Sequence, residues 1–252
     1  MSKIYDALRK AEKDRGSPPP SRVPSASTPR LKDESLIMAG MDERFRRSLL
    51  HLKNSIDSEM KEKRSRVILF TSAIRGEGKT TIVASLARVL ALGESQRILL
   101  VDCSVRDPEI HRLFGVGNEK GIIDFLAGKA KLREIIQPVD QGALDLVTLG
   151  ESEGEDITQP LFNSDRLDAF LKEAAEAYDY VLIDSAAILE APETPIIGAR
   201  SDGVVLIIRA GRTRREVIKR AVVMVEKLGG TFVGTVLNRK KYHIPEFIYR
   251  RV

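Results

Sequence analysis

Residues 66–81 read R-V-I-L-F-T-S-A-I-R-G-E-G-K-T-T, and this stretch decides the fold. The run Val67-Ile68-Leu69-Phe70 is β-branched and aromatic, the composition of a buried strand. It ends in a turn carrying Gly76 and Gly78, and Lys79-Thr80-Thr81 then open an apolar-periodic helix. Strand, glycine loop and helix start, in that order, make a phosphate-binding loop. Polyphosphate needs many donors converging on it. Glycines let backbone N–H groups turn inward, and the helix start adds the positive end of its dipole. The nucleotide-contacting run is therefore Arg75, Gly76, Glu77, Gly78, Lys79, Thr80 and Thr81. Lys79 is the mobile charge for the outer phosphates, and Thr80 offers a hydroxyl to Mg²⁺. The strict pattern asks for Gly where this chain has Ala73, so the match is relaxed and rests on its strand–helix context.

Working outward, strand patterns recur at 66–72, 97–102, 144–149, 180–184, 203–209 and 231–237. Most are continuous apolar runs, as expected of strands covered on both faces. Helix patterns fall at 79–92, 164–177 and 213–228, with Gly93 as a stop, Ser164 as a cap, and Thr213 with Glu216 as a capping box. A further stripe, Phe45, Leu49, Leu52 and Ile56, precedes the first strand. Alternating strands and helices imply an α/β fold with a doubly wound, mostly parallel sheet, a P-loop NTPase architecture. Ligands in such sheets bind at the carboxyl ends of the strands.

Two acidic residues sit at such ends. Ile98-Leu99-Leu100-Val101 leads to Asp102, and Tyr180-Val181-Leu182-Ile183 leads to Asp184. With Thr80 they form the expected metal set, and Asp102 is the candidate for steering an attacking hydroxyl. Arg106 is placed to pair with a phosphate or a carboxylate. Asp102, Lys79 and Arg106 thus form the candidate catalytic set. Cys103 has no His or second Cys at ligand spacing, and His51, His111 and His243 stand without partners, so thiol and zinc chemistry are not expected.

The chain has 252 residues and a net charge of +5, unevenly spread. Residues 209–252 hold 12 Lys/Arg against 3 Asp/Glu, which leaves the middle of the chain acidic. A basic end suits an acidic protein neighbour, an anionic membrane or nucleic acid, but no aromatic-interleaved stripe supports stacking on single strands, and nucleic acid is not expected. Lys3, Asp6, Arg9 and Lys10 interrupt any signal-peptide core, and no apolar stretch approaches a bilayer span, so a cytoplasmic chain is expected. Residues 1–15 contain an amphipathic docking-helix pattern (Ile4, Ala7, Leu8 and Ala11 on one face). Residues 16–34 form a Pro/Ser-rich linker, since five of the eleven prolines fall in 16–30. Residues 35–240 are the globular unit, and 241–252 a basic tail.

These stretches resemble a known family, the bacterial tyrosine kinases of polysaccharide co-polymerase systems, within the MinD/ParA-like class of P-loop ATPases. The resemblance rests on A-I-R-G-E-G-K-T-T (73–81), I-L-L-V-D-C-S-V-R-D-P-E-I-H-R-L-F (98–114), G-I-I-D-F-L-A-G (121–128), Y-D-Y-V-L-I-D-S (178–185) and G-T-V-L-N (234–238). It implies binding of ATP with Mg²⁺, tyrosine autophosphorylation, a homo-oligomer, and partnership with a membrane-embedded chain-length regulator of exopolysaccharide or capsule export. It places Lys79 and Thr80 in the first nucleotide motif, Asp102 in the second and Asp184 in the third. It implies that Asn238 reads the adenine edge, and that tail tyrosines, here Tyr242 and Tyr249, accept the phosphoryl group.

The chain departs from the family pattern at Ser104, where an aspartate is usual, and at Ser185-Ala186-Ala187, where Thr-Pro-Pro is usual. Leu49 replaces the last arginine of the family's oligomerisation motif after Glu43 and Arg46. Two rivals follow from the same residues: a MinD- or ParA-type positioning ATPase, which would carry a lysine in place of Ile74, and an ATP-binding adaptor without phosphotransfer.

Overall fold

The computed structural model describes residues 41–63, 65–93, 96–139, 144–151 and 160–240. The expected docking helix, the linker, the basic tail, Tyr242 and Tyr249 lie outside the described residues. Helix α1 (Glu43–Glu59) leads into β1 (Arg66–Ser72), α2 (Lys79–Ala91) and β2 (Ile98–Cys103). Three short helices follow, α3 (Ile110–Phe114), α4 (Ile122–Leu126) and α5 (Leu132–Ile135), then β3 (Ile136–Val139) and β4 (Leu144–Val147). The chain continues through α6 (Asp165–Ala177), β5 (Tyr180–Ser185), α7 (Glu193–Arg200), β6 (Gly203–Arg209), α8 (Arg215–Lys227) and β7 (Phe232–Asn238).

The strands form one seven-stranded sheet in the order β3-β4-β2-β5-β1-β6-β7. All pairs are parallel except β3 with β4. The expected doubly wound sheet is thus present, with an antiparallel edge strand that the sequence pattern did not signal. Pro138 lies in that edge strand, where a missing backbone donor is tolerated.

Apolar residues on successive positions of each central strand feed two separate cores. Leu69, Val101, Ile183 and Leu206 pack on one side with α4 and α6. Phe70, Leu100, Leu182 and Val205 pack on the other with α1, α2 and α3. This two-sided burial explains why the strands read as unbroken apolar runs rather than alternations. The expected α1 stripe is confirmed: Leu49 and Ile56 are buried, and Phe45 and Leu52 pack against the same core. A polar knot fixes the end of α1. Asp57 accepts from Lys53 at 2.7 Å, pairs with Arg66 at 3.1 Å, and receives the Tyr180 hydroxyl.

Ser164 is the N-cap of α6 as expected, but its hydroxyl donates to the Leu161 carbonyl at 2.6 Å and makes no side-chain cap bond. The expected capping box on α8 fails. The N-cap of α8 is Arg214, and Thr213 gives its hydroxyl to Glu77 instead. Among the described residues no helix is long and apolar enough to cross a membrane.

Candidate active site

The carboxyl ends of β1, β2 and β5 lie side by side, since β5 pairs with both of the others. Three apolar strands therefore deliver the phosphate loop, Asp102 and Asp184 to one spot. Gly76 and Gly78 have φ of 81° and 90°, the left-handed region that only glycine enters cheaply. At Gly78 the lack of a side chain is needed twice over, because a Cβ there would stand 2.3 Å from the Asn238 amide nitrogen. The loop leads directly into α2, whose first residue is Lys79.

A cleft of about 280 Å³ opens over the loop. It brings together Arg75, Gly76, Gly78, Lys79, Thr80, Thr81 and Arg106, as the sequence suggested. Lys79 is only 9% exposed, so its charge is confined to this cleft. Beneath lie Asp102 and Asp184, both fully buried and in register on adjacent strands. The Thr80 hydroxyl donates to Asp184 Oδ2 at 2.6 Å, while Asp184 Oδ1 is buried with no hydrogen-bond partner.

That orphaned oxygen tests whether a divalent cation fits. A buried carboxylate oxygen without a donor is costly unless a cation faces it. Thr80 beside Asp184 supplies hard oxygen ligands, the kind Mg²⁺ prefers. Among the described residues no group of three or more His, Cys, Asp or Glu could hold a metal. Such a cation would take its remaining ligands from phosphate and water, the usual habit of Mg²⁺.

Asp102 differs from its neighbour. Its Oδ1 accepts from the Ser104 N–H at 2.9 Å and its Oδ2 from the Ile110 N–H at 3.1 Å. It lies below the cleft and does not line it. Asp102 is thus a buried carboxylate in register with Asp184 and held by two backbone donors.

Burial, and then the charge of Asp184, push Asp102 above the usual carboxylate range. Burial also raises Asp184, and the Thr80 hydrogen bond and Lys79 charge offset this only in part. A group raised in the fold stabilises it at low pH and loses that contribution as pH rises through the folded value. In nucleotide-free protein this pair should cost stability as pH climbs from the ordinary 3.8 toward about 8. Denaturant titrations across that window should show the slope flattening in Asp184→Asn.

The side chains of two expected nucleotide contacts also hold the loop in place. The Glu77 carboxylate is fully buried and accepts from the Ile74 N–H at 3.2 Å, the Arg209 N–H at 2.9 Å and the Thr213 hydroxyl. It holds the loop against β6 and does not enter the cleft. Asn238 donates from its amide to the Glu77 carbonyl at 2.8 Å and accepts from the Arg239 N–H at 2.7 Å. These two bonds staple the loop to β7 and leave a second amide hydrogen on Asn238.

Sequence reasoning missed four charged cleft residues: Asp107, Glu109, Glu190 and Arg239. Arg75 ties two of them to the loop, with its guanidinium on Asp107 at 2.7 Å and its N–H on Glu190 at 3.1 Å. Asp107 and Glu109 stand in the quoted stretch 98–114, just past Arg106, and that adjacency was the available signal.

A protein-family model described as an AAA domain matches residues 65–230. The tyrosine-protein kinase YwqD of Bacillus subtilis is 32% identical over 187 residues, covering 74% of this chain and 76% of YwqD. This chain belongs to the bacterial tyrosine-protein kinases. Among solved kinases, the kinase domain of Escherichia coli ETK superposes with a TM-score of 0.72 at 26% identity, covering 79% of each chain. The matched region is 25% of the whole E. coli etk protein, so the chain corresponds to the kinase portion of that longer relative. MinD of Pyrococcus horikoshii, solved with Mg-ADP, shares the fold with a TM-score of 0.59 at 24% identity, over 74% of this chain and 76% of MinD. In this kinase the glycine loop, Lys79 and Thr80 line the cleft, and Asp184 lies beneath it beside Thr80.

Proposed function

We propose that this tyrosine kinase transfers the γ-phosphoryl group of ATP to tyrosine hydroxyls of its own kind. The Thr80–Asp184 pair carries the reading, with one buried carboxylate oxygen left unmatched beside a confined Lys79. Phosphoryl transfer asks the protein mainly for positioning and charge neutralisation. Lys79 and the inward amides of the loop hold the phosphates. Thr80 and Asp184, backed by Asp102, hold Mg²⁺, which when bound neutralises charge on the phosphate oxygens. Arg106 and Arg75 stand at the cleft to meet the transferring group.

The tail tyrosines Tyr242 and Tyr249 are the proposed acceptors. Tyr242 follows the cleft residue Arg239 by three positions, a reach of at most about 11 Å. A neighbour's tail in a homo-oligomer would present its basic residues to the acidic middle of the chain. The proposed partner is a membrane-embedded chain-length regulator of exopolysaccharide or capsule export, which would hold the kinase at the inner membrane face.

Purified protein with Mg-ATP should gain phosphate on Tyr242 or Tyr249 by intact mass and peptide mapping. Tight ATP binding with no phosphotyrosine, even with a co-polymerase cytoplasmic segment added, would leave an adaptor. Nucleotide-dependent pelleting with DNA or anionic vesicles would point to a positioning ATPase.

A further inference from the structure

Away from the nucleotide cleft, helix α8 leaves part of its surface uncovered. Lys219, Arg220, Val223, Met224 and Lys227 line a groove of about 320 Å³ there, together with Leu189 from the loop after β5. Leu189 also packs on the inner core, whereas Val223 and Met224 are 43% and 37% exposed. Ala221 and Val225 of the same helix are buried, so this is a second apolar stripe, and an exposed one. Adjacent exposed apolar side chains in a concave site mark a docking surface. The charged residues that line the groove are all cations. Its occupant is therefore apolar on one face and acidic at the borders of that face.

The chain carries such a segment outside the described residues. Residues 2–13 have the pattern of a helix with Ile4, Ala7, Leu8 and Ala11 on one face, and a helix this short needs a surface to persist. At 3.6 residues per turn, Glu12 and Asp14 fall at the two borders of that face, while Asp6, Arg9, Lys10 and Lys13 lie farther round. Lys3 reaches a border only at the other end, about three turns from Asp14. From Ile4 to Ala11 such a helix rises about 10 Å, and α8 rises about 12 Å from Lys219 to Lys227, so face and groove match in length. The connection permits the contact. Residues 16–40 reach at most about 90 Å, against a radius of gyration of about 17 Å for a domain of this size. Helix α1, which receives that connection, and α8 pack on opposite faces of the same edge strand, β7.

We infer that residues 1–15 dock as a helix in the α8 groove of their own chain. Ile4 and Leu8 cover Val223 and Met224, and Glu12 and Asp14 turn toward the cations of the groove wall. Tethering raises the local concentration of the segment to the order of mM, so modest contacts suffice. This docking is separate from phosphoryl transfer and does not depend on it.

Amide hydrogen exchange on the full chain tests it. Amides of residues 2–13 should exchange about tenfold slower than in unstructured chain. Met224→Glu should remove that protection with Tm held within about 2 °C, because the side chain it replaces is exposed. Leu8→Glu should remove it too, without altering the domain. A short bismaleimide should join the two thiols of Leu8→Cys/Val223→Cys within one chain. It should join those of Leu8→Cys/Leu50→Cys, an exposed position on α1, about tenfold less. Cys103 is buried and stays out of the reaction. Unprotected amides in wild type overturn the inference, as does protection that survives Met224→Glu. Equal linking of the two pairs also overturns it, and so do links found only between chains, since a second copy would then fill the groove.

Discussion

Lys79→Ala should leave a folded protein that forms no detectable phosphotyrosine. Lys79 opens α2 and is nearly sealed inside the cleft, so no other residue of that helix can replace its charge there. Two buried carboxylates lie just below, and Lys79 is one of the charges that hold Asp184 down. Removing the ammonium withdraws a cation from the transferring phosphates and leaves the acidic floor less compensated. A preorganised charge of this kind is worth about 10²–10³ in rate, and weaker phosphate binding adds to the loss. Lys79→Arg should not restore activity, since a planar guanidinium does not replace a compact ammonium in a confined space. Radiolabel transfer from γ-labelled ATP measures the outcome, and circular dichroism confirms the fold. Transfer by Lys79→Ala at the wild-type rate would refute the assignment of this cleft.

The second large effect lies at Glu77, whose side chain is fully buried. Its buried carboxylate accepts two backbone N–H groups and the Thr213 hydroxyl. Glu77→Ala strands at least two half-buried donors, each at about 1–3 kcal/mol. A total of about 3 kcal/mol lowers Tm by roughly 6–12 °C in a domain of this size. Glu77→Gln should help little. Three donors converge on the two carboxylate oxygens, and an amide would turn an NH₂ group toward one of them. Nucleotide affinity should fall along with stability, because the same carboxylate clamps the loop to β6. A thermal melt and an ATP titration on one variant test both halves. Loss of affinity without loss of stability would overturn the clamping role of its carboxylate.

The kinase site was legible in the sequence to differing depths. The loop, Lys79, Thr80 and the two strand-end aspartates were readable because each follows an apolar strand and depends on local order alone. Asp107, Glu109 and Glu190 carried no such mark. A lone carboxylate in a loop looks the same whether it faces solvent or a cleft, and Arg75 draws Asp107 and Glu190 together from loops that are distant in the chain. Glu77 and Asn238 sit in or beside nucleotide motifs, and nothing in those motifs announces that their side chains bond the surrounding backbone. The short helices α3, α4 and α5, of four or five residues, offer too few turns for a periodicity. The edge strand β3 is likewise too short to show an alternation.

The sequence by itself determined the sheet class, the order of its main strands and helices, and the phosphate loop. Each of these is set by hydrophobic period and glycine placement over neighbouring residues. Only the tertiary structure decided which polar groups meet. Asp102 sinks below the cleft under two backbone donors, Asp184 keeps an unmatched oxygen beside Thr80, and Glu109 lines the cleft above them. These outcomes depend on the register of β2 against β5 and on loops packed across the sheet, and such long-range contacts leave no period in the chain.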